Sequence, residues 1–343
     1  MFMRYQSGYI ALLAIYLIAF LYAFVVGGLS FLDLSDVPIG IPLVLLIFPI
    51  FAFVALAAAQ MLRRNVRRPL ATLTRLLYRE KHWIARGIFL TILGMFFSNA
   101  FTSIKTSIPR NQKFYADEFF ISADQWIFGT DPWRLTHGVF GQIETIVLDR
   151  AYLLWLTAQL ILAISLHFSR DQILQLKGLI TYLASWIVLG GLLATSLASV
   201  GPCYFAEFYG RHHFAPLMDA LASHDNLNAV FLQRKLLDAQ GSGLFGSGIS
   251  AMPSMHVAIA LLIVFLAKER WGLGLMFALS VVFFILIMIG SVHLGWHYAV
   301  DGLVSIAGVW IIWRLTSAFV DRVVAKEAAR DRSVPFPSEP SPA

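Results

Sequence analysis

The chain has 343 residues, of which 58% are hydrophobic and 13% charged, a balance that excludes an ordinary soluble domain. Its formal charge of +6 lies in clusters between apolar blocks rather than in one basic patch, which argues for a membrane protein and against nucleic acid as a partner. The single Cys203 cannot form an internal disulfide and reads as a buried, inert thiol; no Cys/His cluster has zinc spacing, so neither a metal nor a cofactor is expected.

An apolar run from about Tyr9 to Phe31 follows Arg4. It exceeds the roughly 7–15 apolar residues of a signal peptide and no clear small-residue cleavage site follows, so it is expected to be a retained first span. Further stretches approach the roughly 20 residues of a bilayer crossing, giving eight expected spans at about 8–31, 39–62, 85–104, 151–168, 178–200, 249–267, 272–292 and 297–316. The fold class expected is therefore all-α, a polytopic membrane helical bundle. With the N-terminus inside, the cytoplasmic segments hold 18 of the 26 Lys and Arg residues, and the positive-inside rule places the remaining loops on the outer face.

Between the second and third spans, Arg63–Trp83 is basic and carries Leu70, Leu73 and Leu77 at helical spacing. It reads as an amphipathic helix on the inner lipid surface or as a solvated connector. Lys105–Arg150 is the first long outer segment. Lys105, Arg110 and Lys113 open it, and a cation at that level suits a bound phosphate or simply snorkels to the interface. Phe114–Trp126 mixes aromatics with Asp117, Glu118 and Asp124, as a helix lying at the interface would, and 129–133 reads as a turn with a helix start. The second outer segment, about 201–248, contains His212, His213 and His224, a surface helix expected over Asp219–Ala239, and a glycine-rich stretch at 241–248. That stretch lacks the Lys of a phosphate-cradling loop and is read as a flexible approach to Pro253. After the last span, Asp321–Ala343 is charged and then Pro/Ser-rich, and a disordered cytoplasmic tail is expected. The chain thus divides into a two-span hairpin with its basic connector (1–84), a membrane catalytic core (85–320) and a tail (321–343).

The chemistry concentrates between Pro253 and Asp301. Two antiparallel spans separate His256 from His297, so the two histidines should meet on one face of the membrane although they lie 41 positions apart. His297 and Asp301 are spaced i,i+4, which on a helix places the carboxylate one turn from the imidazole. A carboxylate there can accept the Nδ1 proton and leave Nε2 free as a nucleophile. A nucleophilic His, its carboxylate orienter and a second His as proton donor suit phosphoryl transfer without metal. Ionisable groups in spans are costly and usually functional.

Pro253-Ser254-x-His256 and His297-Tyr298-x-x-Asp301 resemble the second and third signature motifs of the type 2 phosphatidic acid phosphatase superfamily, tightly over about 246–308. The resemblance implies a helical bundle whose His256, His297 and Asp301 work through a phosphohistidine. Lys105 followed by Pro109-Arg110 resembles the first motif loosely, so Lys105, Arg110 and Ser254 are the expected phosphate ligands. Two positions depart from the phosphatases: Met255 stands where they carry Gly, and Ser291 where they carry Arg. Those departures look more like the branch containing the fungal inositol phosphorylceramide synthases and related bacterial membrane proteins. The expected function is a lipid phosphotransferase acting on a phospholipid head group, with membrane lipids as substrates. A lipid phosphate or polyprenyl diphosphate phosphatase shares the chemistry. His293-x-x-x-His297 has the spacing of a metal site, and a transporter using the triad as a relay is a further class. The absence of any Asn-x-Ser/Thr sequon favours a bacterial inner membrane.

Overall fold

The computed structural model describes residues 5–33, 40–224, 226–240, 242 and 247–333. The described residues form helices and connecting turns, without strands, in the order α1 (Gln6–Gly27), α2 (Gly40–Arg63), α3 (Pro69–Arg79), α4 (Lys81–Asn111), α5 (Asp117–Phe128), α6 (Pro132–Val139), α7 (Gln142–His167) and α8 (Gln172–Ile187). A π-turn segment, Val188–Leu193, joins α8 to α9 (Ala194–Ser196). There follow α10 (Phe205–Tyr209), α11 (Ala215–Ala222), α12 (Asn228–Asp238), α13 (Met255–Trp271), α14 (Leu275–His293) and α15 (Ala299–Ser333). Apolar residues without periodic polar breaks make the long helices, as lipid on one side and protein on the other require.

Among the described residues, seven helices are long and apolar enough to cross a membrane, against the eight expected. The difference lies at α13, which has 17 residues. The expected span began near 249, but the helix starts only after Pro253, whose ring disfavours a helical continuation, and the Ser254 hydroxyl caps α13 by accepting the Val257 N–H. Upstream, Ala251 and Met252 lie outside any helix and donate to the Ser199 carbonyl and hydroxyl. The shorter helix suffices because α13 lies inside the bundle. It packs on α14, α15, α8 and α7, and Val257, Ala258, Ile259, Ala260 and Leu262 are fully buried.

Other boundaries also move. Helix α4 continues past the expected end at 104 to Asn111, so Lys105, Pro109 and Arg110 are helical. Pro109 is tolerated there because it frees only one carbonyl in the last turns. The single helix expected over Asp219–Ala239 is two, α11 and α12. Asn226 adopts positive φ before the second begins, and the Asp149 carboxylate accepts the N–H groups of Asn228 and Ala229 at its start. Helix α15 runs through Ser333, past Asp321 where a disordered tail was expected, and Asp321 pairs with Lys177 at 3.1 Å. Residues 334–343 lie outside the described residues, as does most of the glycine-rich stretch at 241–246. Helix α3 occupies the basic connector and carries Leu70, Leu73 and Leu77.

The 199–203 turn fixes the end of the bundle beside Gly295 and Trp296. Gly201 has φ +88 and ψ 167, a region open essentially to glycine. A Cβ there would lie 2.7 Å from the Trp296 carbonyl oxygen. Next to it the Cys203 N–H donates to the Gly295 carbonyl at 2.9 Å. Gly201→Ala should cost about 3 kcal/mol, seen as a lower melting temperature in detergent. Gly210→Ala, also at positive φ but with open space around it, should cost about 1 kcal/mol. Equal losses would show that the contact with Trp296 is not what constrains this turn.

Candidate active site

His256 sits in the first turn of α13, directly after the Ser254 cap. His297 lies in the turn between α14 and α15, not on a helix as expected from its spacing to Asp301, because α15 begins only at Ala299. The contact forms nonetheless. His297 Nδ1 is 3.2 Å from Asp301 Oδ2, and the Tyr298 N–H donates to the same oxygen at 3.1 Å. The His297 N–H donates to the Ser291 carbonyl at 3.0 Å, which fixes the ring's backbone. The Ser254 N–H reaches the Asp301 carbonyl at 3.4 Å, so the two motifs are joined through main chain. The His256 and His297 rings meet edge to face with centroids 5.8 Å apart.

His256 is clasped by aromatic rings of α7. Tyr152 stacks on it at 4.5 Å and Trp155 lies 4.2 Å away, donating its indole N–H to the His256 carbonyl at 3.0 Å. Both histidines line a cavity of about 420 Å³ that continues between α4, α7 and α8. Lys105 lines the same cavity, and it is the only Lys or Arg among the described residues to do so. Gly248, at φ +106, lets the backbone pass beside it: an added Cβ would lie 3.1 Å from Lys105 Cγ. Met255 also faces this space.

The other expected ligands are placed differently. Ser254 is fully buried, its hydroxyl occupied by the cap of α13, and it does not line the cavity. Arg110 is exposed at the end of α4 and also stands outside the cavity lining. Ser291 is buried with its hydroxyl turned back onto the Met288 carbonyl at 2.8 Å, so it presents no side chain to the cavity. His293 ends α14 and is separated from His297 by a turn, which breaks the shared helical face that an i,i+4 metal pair needs. Its two ring nitrogens lie 3.1 and 2.8 Å from the Thr136 and Thr145 hydroxyls, and it stacks on His137. His213 pairs with Asp131 at 3.1 Å and does not line the cavity shared by His256 and His297.

Three carboxylates that position the site were not singled out from sequence. Asp117 is fully buried and accepts the Val200 and Gly201 N–H groups (3.0 and 2.9 Å) and the Tyr209 and Tyr298 hydroxyls (3.0 and 2.9 Å). Burial raises its carboxyl above the ordinary value, against the pull of those hydrogen bonds. Asp124 accepts the Ala299 and Val300 N–H groups, both at 2.8 Å, and so caps the helix that carries Asp301. Asp149 holds the start of α12. The available signal was the seven-residue spacing of Asp117 and Asp124, which puts both on one face of α5.

A profile described as the PAP2 superfamily matches residues 118–315, a range that contains His256, His297 and Asp301. Comparison with curated proteins and with solved structures returns no match.

Burial pushes the Asp124 carboxyl up to about 6 despite its two N–H donors, with Asp301 and Asp131 adding to the rise. An unperturbed carboxyl titrates at 3.8, so folding raises this pKa. The resulting stabilisation is full below the lower value and is lost as pH rises through about 6. The melting temperature should therefore climb as pH falls from about 7 to about 5, and Asp124→Asn should reduce that climb. An unchanged slope in the variant would exclude Asp124 as its source.

Proposed function

The chain belongs to the PAP2 superfamily, and on that premise we propose that it is an integral-membrane lipid phosphotransferase working through a phosphohistidine, similar in reaction to the inositol phosphorylceramide synthases. The observation that supports this most is the arrangement of His297. Its Nδ1 is held by Asp301, which leaves Nε2 for a substrate, and the residue lines a cavity shared with His256 and Lys105.

The residues divide the work as follows. His297 Nε2 attacks phosphorus, forming an N–P bond as the P–O bond to the leaving alcohol breaks. Protonated His256 gives its proton to that leaving oxygen. Asp301 stabilises the positive charge that develops on the His297 ring. In the second step neutral His256 takes the proton of an acceptor hydroxyl, the acceptor oxygen attacks phosphorus, and His297 is released. No metal has a part in this sequence. Lys105 offers one positive charge to the phosphoryl oxygens. A diester donor carries one negative charge, whereas a monoester dianion would call for more, such as the guanidinium for which this chain has the buried Ser291. The basic distribution along the sequence supports a triad on the outer face, and the absence of an Asn-x-Ser/Thr sequon supports a bacterial inner membrane, which would put that face in the periplasm.

His297→Ala, Asp301→Ala and His256→Ala should each abolish turnover, and a double change should cost little more than a single one. Full activity in His297→Ala would remove the phosphohistidine. Purified protein should form product from a phosphodiester lipid only when a hydroxyl acceptor is added, and should keep that activity in a strong chelator. Rapid release of inorganic phosphate from phosphatidic acid without acceptor would make it a phosphatase instead. For orientation, a cysteine at position 223 in a Cys203→Ser background should react with an impermeant thiol reagent in intact cells, and one at position 67 only after the membrane is broken. The reverse pattern would put the active site inside.

A further inference from the structure

The first step of the proposed reaction needs a positive charge on His256 before any bond breaks. The carboxylate of the triad on α15, Asp301, is committed to His297 and to the Tyr298 N–H. His297 and Lys105, both within electrostatic reach of the His256 ring, are themselves bases. Asp149 on α7 and Tyr182 on α8 line the same cavity, but the Asp149 carboxylate is taken up by the start of α12 and by Arg150. What faces the His256 ring is aromatic. Tyr152 on α7 stacks on it with centroids 4.5 Å apart and planes 24° from parallel. The Tyr152 hydroxyl is buried without a hydrogen-bond partner, so the ring face is what this residue offers. Gly290 on α14 leaves room for that ring, since a Cβ there would lie 3.3 Å from Tyr152 Cδ2. Trp296, the residue before His297, also stacks on Tyr152, at 6.1 Å. Three residues along α7, the Trp155 indole N–H donates to the His256 carbonyl at 3.0 Å and holds the main chain where its ring meets Tyr152.

We propose that Tyr152 is a positioning residue for the general acid: its π face holds the His256 ring in place and favours the protonated form over the neutral one. The proposal rests on the reading of His256 as the proton donor in phosphotransfer. The face of a tyrosine ring is negative and attracts a cation within about 6 Å of its centroid, most strongly where water is excluded. A neutral imidazole gains much less from that face, so the stack acts on the protonation equilibrium as well as on packing. When the proton passes to the leaving oxygen and the N–P bond forms at His297, the attraction ends, and His256 is left neutral for the acceptor hydroxyl.

For an alkyl phosphodiester donor, kcat/KM should fall on the alkaline side as His256 loses its proton. Tyr152→Leu should move that limb about 1 unit toward lower pH, and Tyr152→Phe, which keeps the ring, should leave the limb in place. A nitrophenyl phosphodiester of the same lipid releases nitrophenolate without needing a proton. Tyr152→Leu should therefore slow the alkyl donor about 10-fold at high pH and the nitrophenyl donor by a far smaller factor. Equal slowing of both donors, as a packing defect gives, would overturn the proposal. So would a limb that stays put in Tyr152→Leu, or one that Tyr152→Phe moves as far. Nitrogen NMR of the His256 ring, assigned by its loss in His256→Gln, reads the titration without turnover. Its midpoint should fall about 1 unit in Tyr152→Leu and hold in Tyr152→Phe. One midpoint in the wild type and both variants would overturn the role of Tyr152, whereas a wild type that releases product from neither donor would overturn the phosphotransferase reading alone.

Discussion

Among the described residues the Asp117 carboxylate has no cation to offset it, and the groups that answer it come from three places in the chain. Two main-chain N–H groups at 200–201 and the hydroxyls of Tyr209 and Tyr298 all turn toward it. A buried carboxylate is tolerable only when donors surround it, so the cost of displacing any one of them holds the others in place. Tyr298 follows His297 directly, and the 200–201 turn packs against the Trp296 carbonyl. Two turns further along the same helix, Asp124 grips the first N–H groups of α15. Helix α5 therefore fixes the His297 turn from outside the bundle, while α13 and α14 fix it from within. The precision of the His297–Asp301 contact depends on this external brace as much as on the bundle.

The chemistry proposed for the site follows from how little water and charge surround it. Asp301 is fully buried, and its Oδ2 is committed to His297 and to one main-chain N–H. In such a medium a carboxylate acts on its neighbour more strongly than it would in water. The rings of Tyr152 and Trp155 close over His256 and restrict it to small movements. A proton passed between His256 and a bound oxygen then has few other places to go.

Much of this was legible in sequence because it rests on one-dimensional rules. Apolar length marks spans, and two antiparallel spans return their ends to one face, so the meeting of His256 with His297 could be anticipated from spacing alone. What the sequence hid was set by tertiary contacts. Ser254 looked like a phosphate ligand, yet its hydroxyl caps α13; cap and ligand use the same oxygen, and spacing does not separate them. Ser291 stood out as the position where the resembling phosphatases carry Arg, but its side chain turns into α14 and only its carbonyl serves His297. Arg110 followed Lys105 closely in sequence, and the unbroken turn of α4 carries the two to different surroundings. Asp117 and Asp124 were read as the polar side of an interfacial helix because their partners lie some 80 and 175 positions away.

The central placement of α13 bears on how the protein is made. A ribosome delivers α13 before α14 and α15, two of the helices that come to enclose it. Until they arrive, its 17 residues and the polar end bearing His256 must wait beside lipid or within the insertion machinery, in surroundings they do not suit. The contact of His256 with His297 and Asp301 cannot form before the final helix has entered. On the proposed mechanism, a partial bundle therefore carries no working nucleophile.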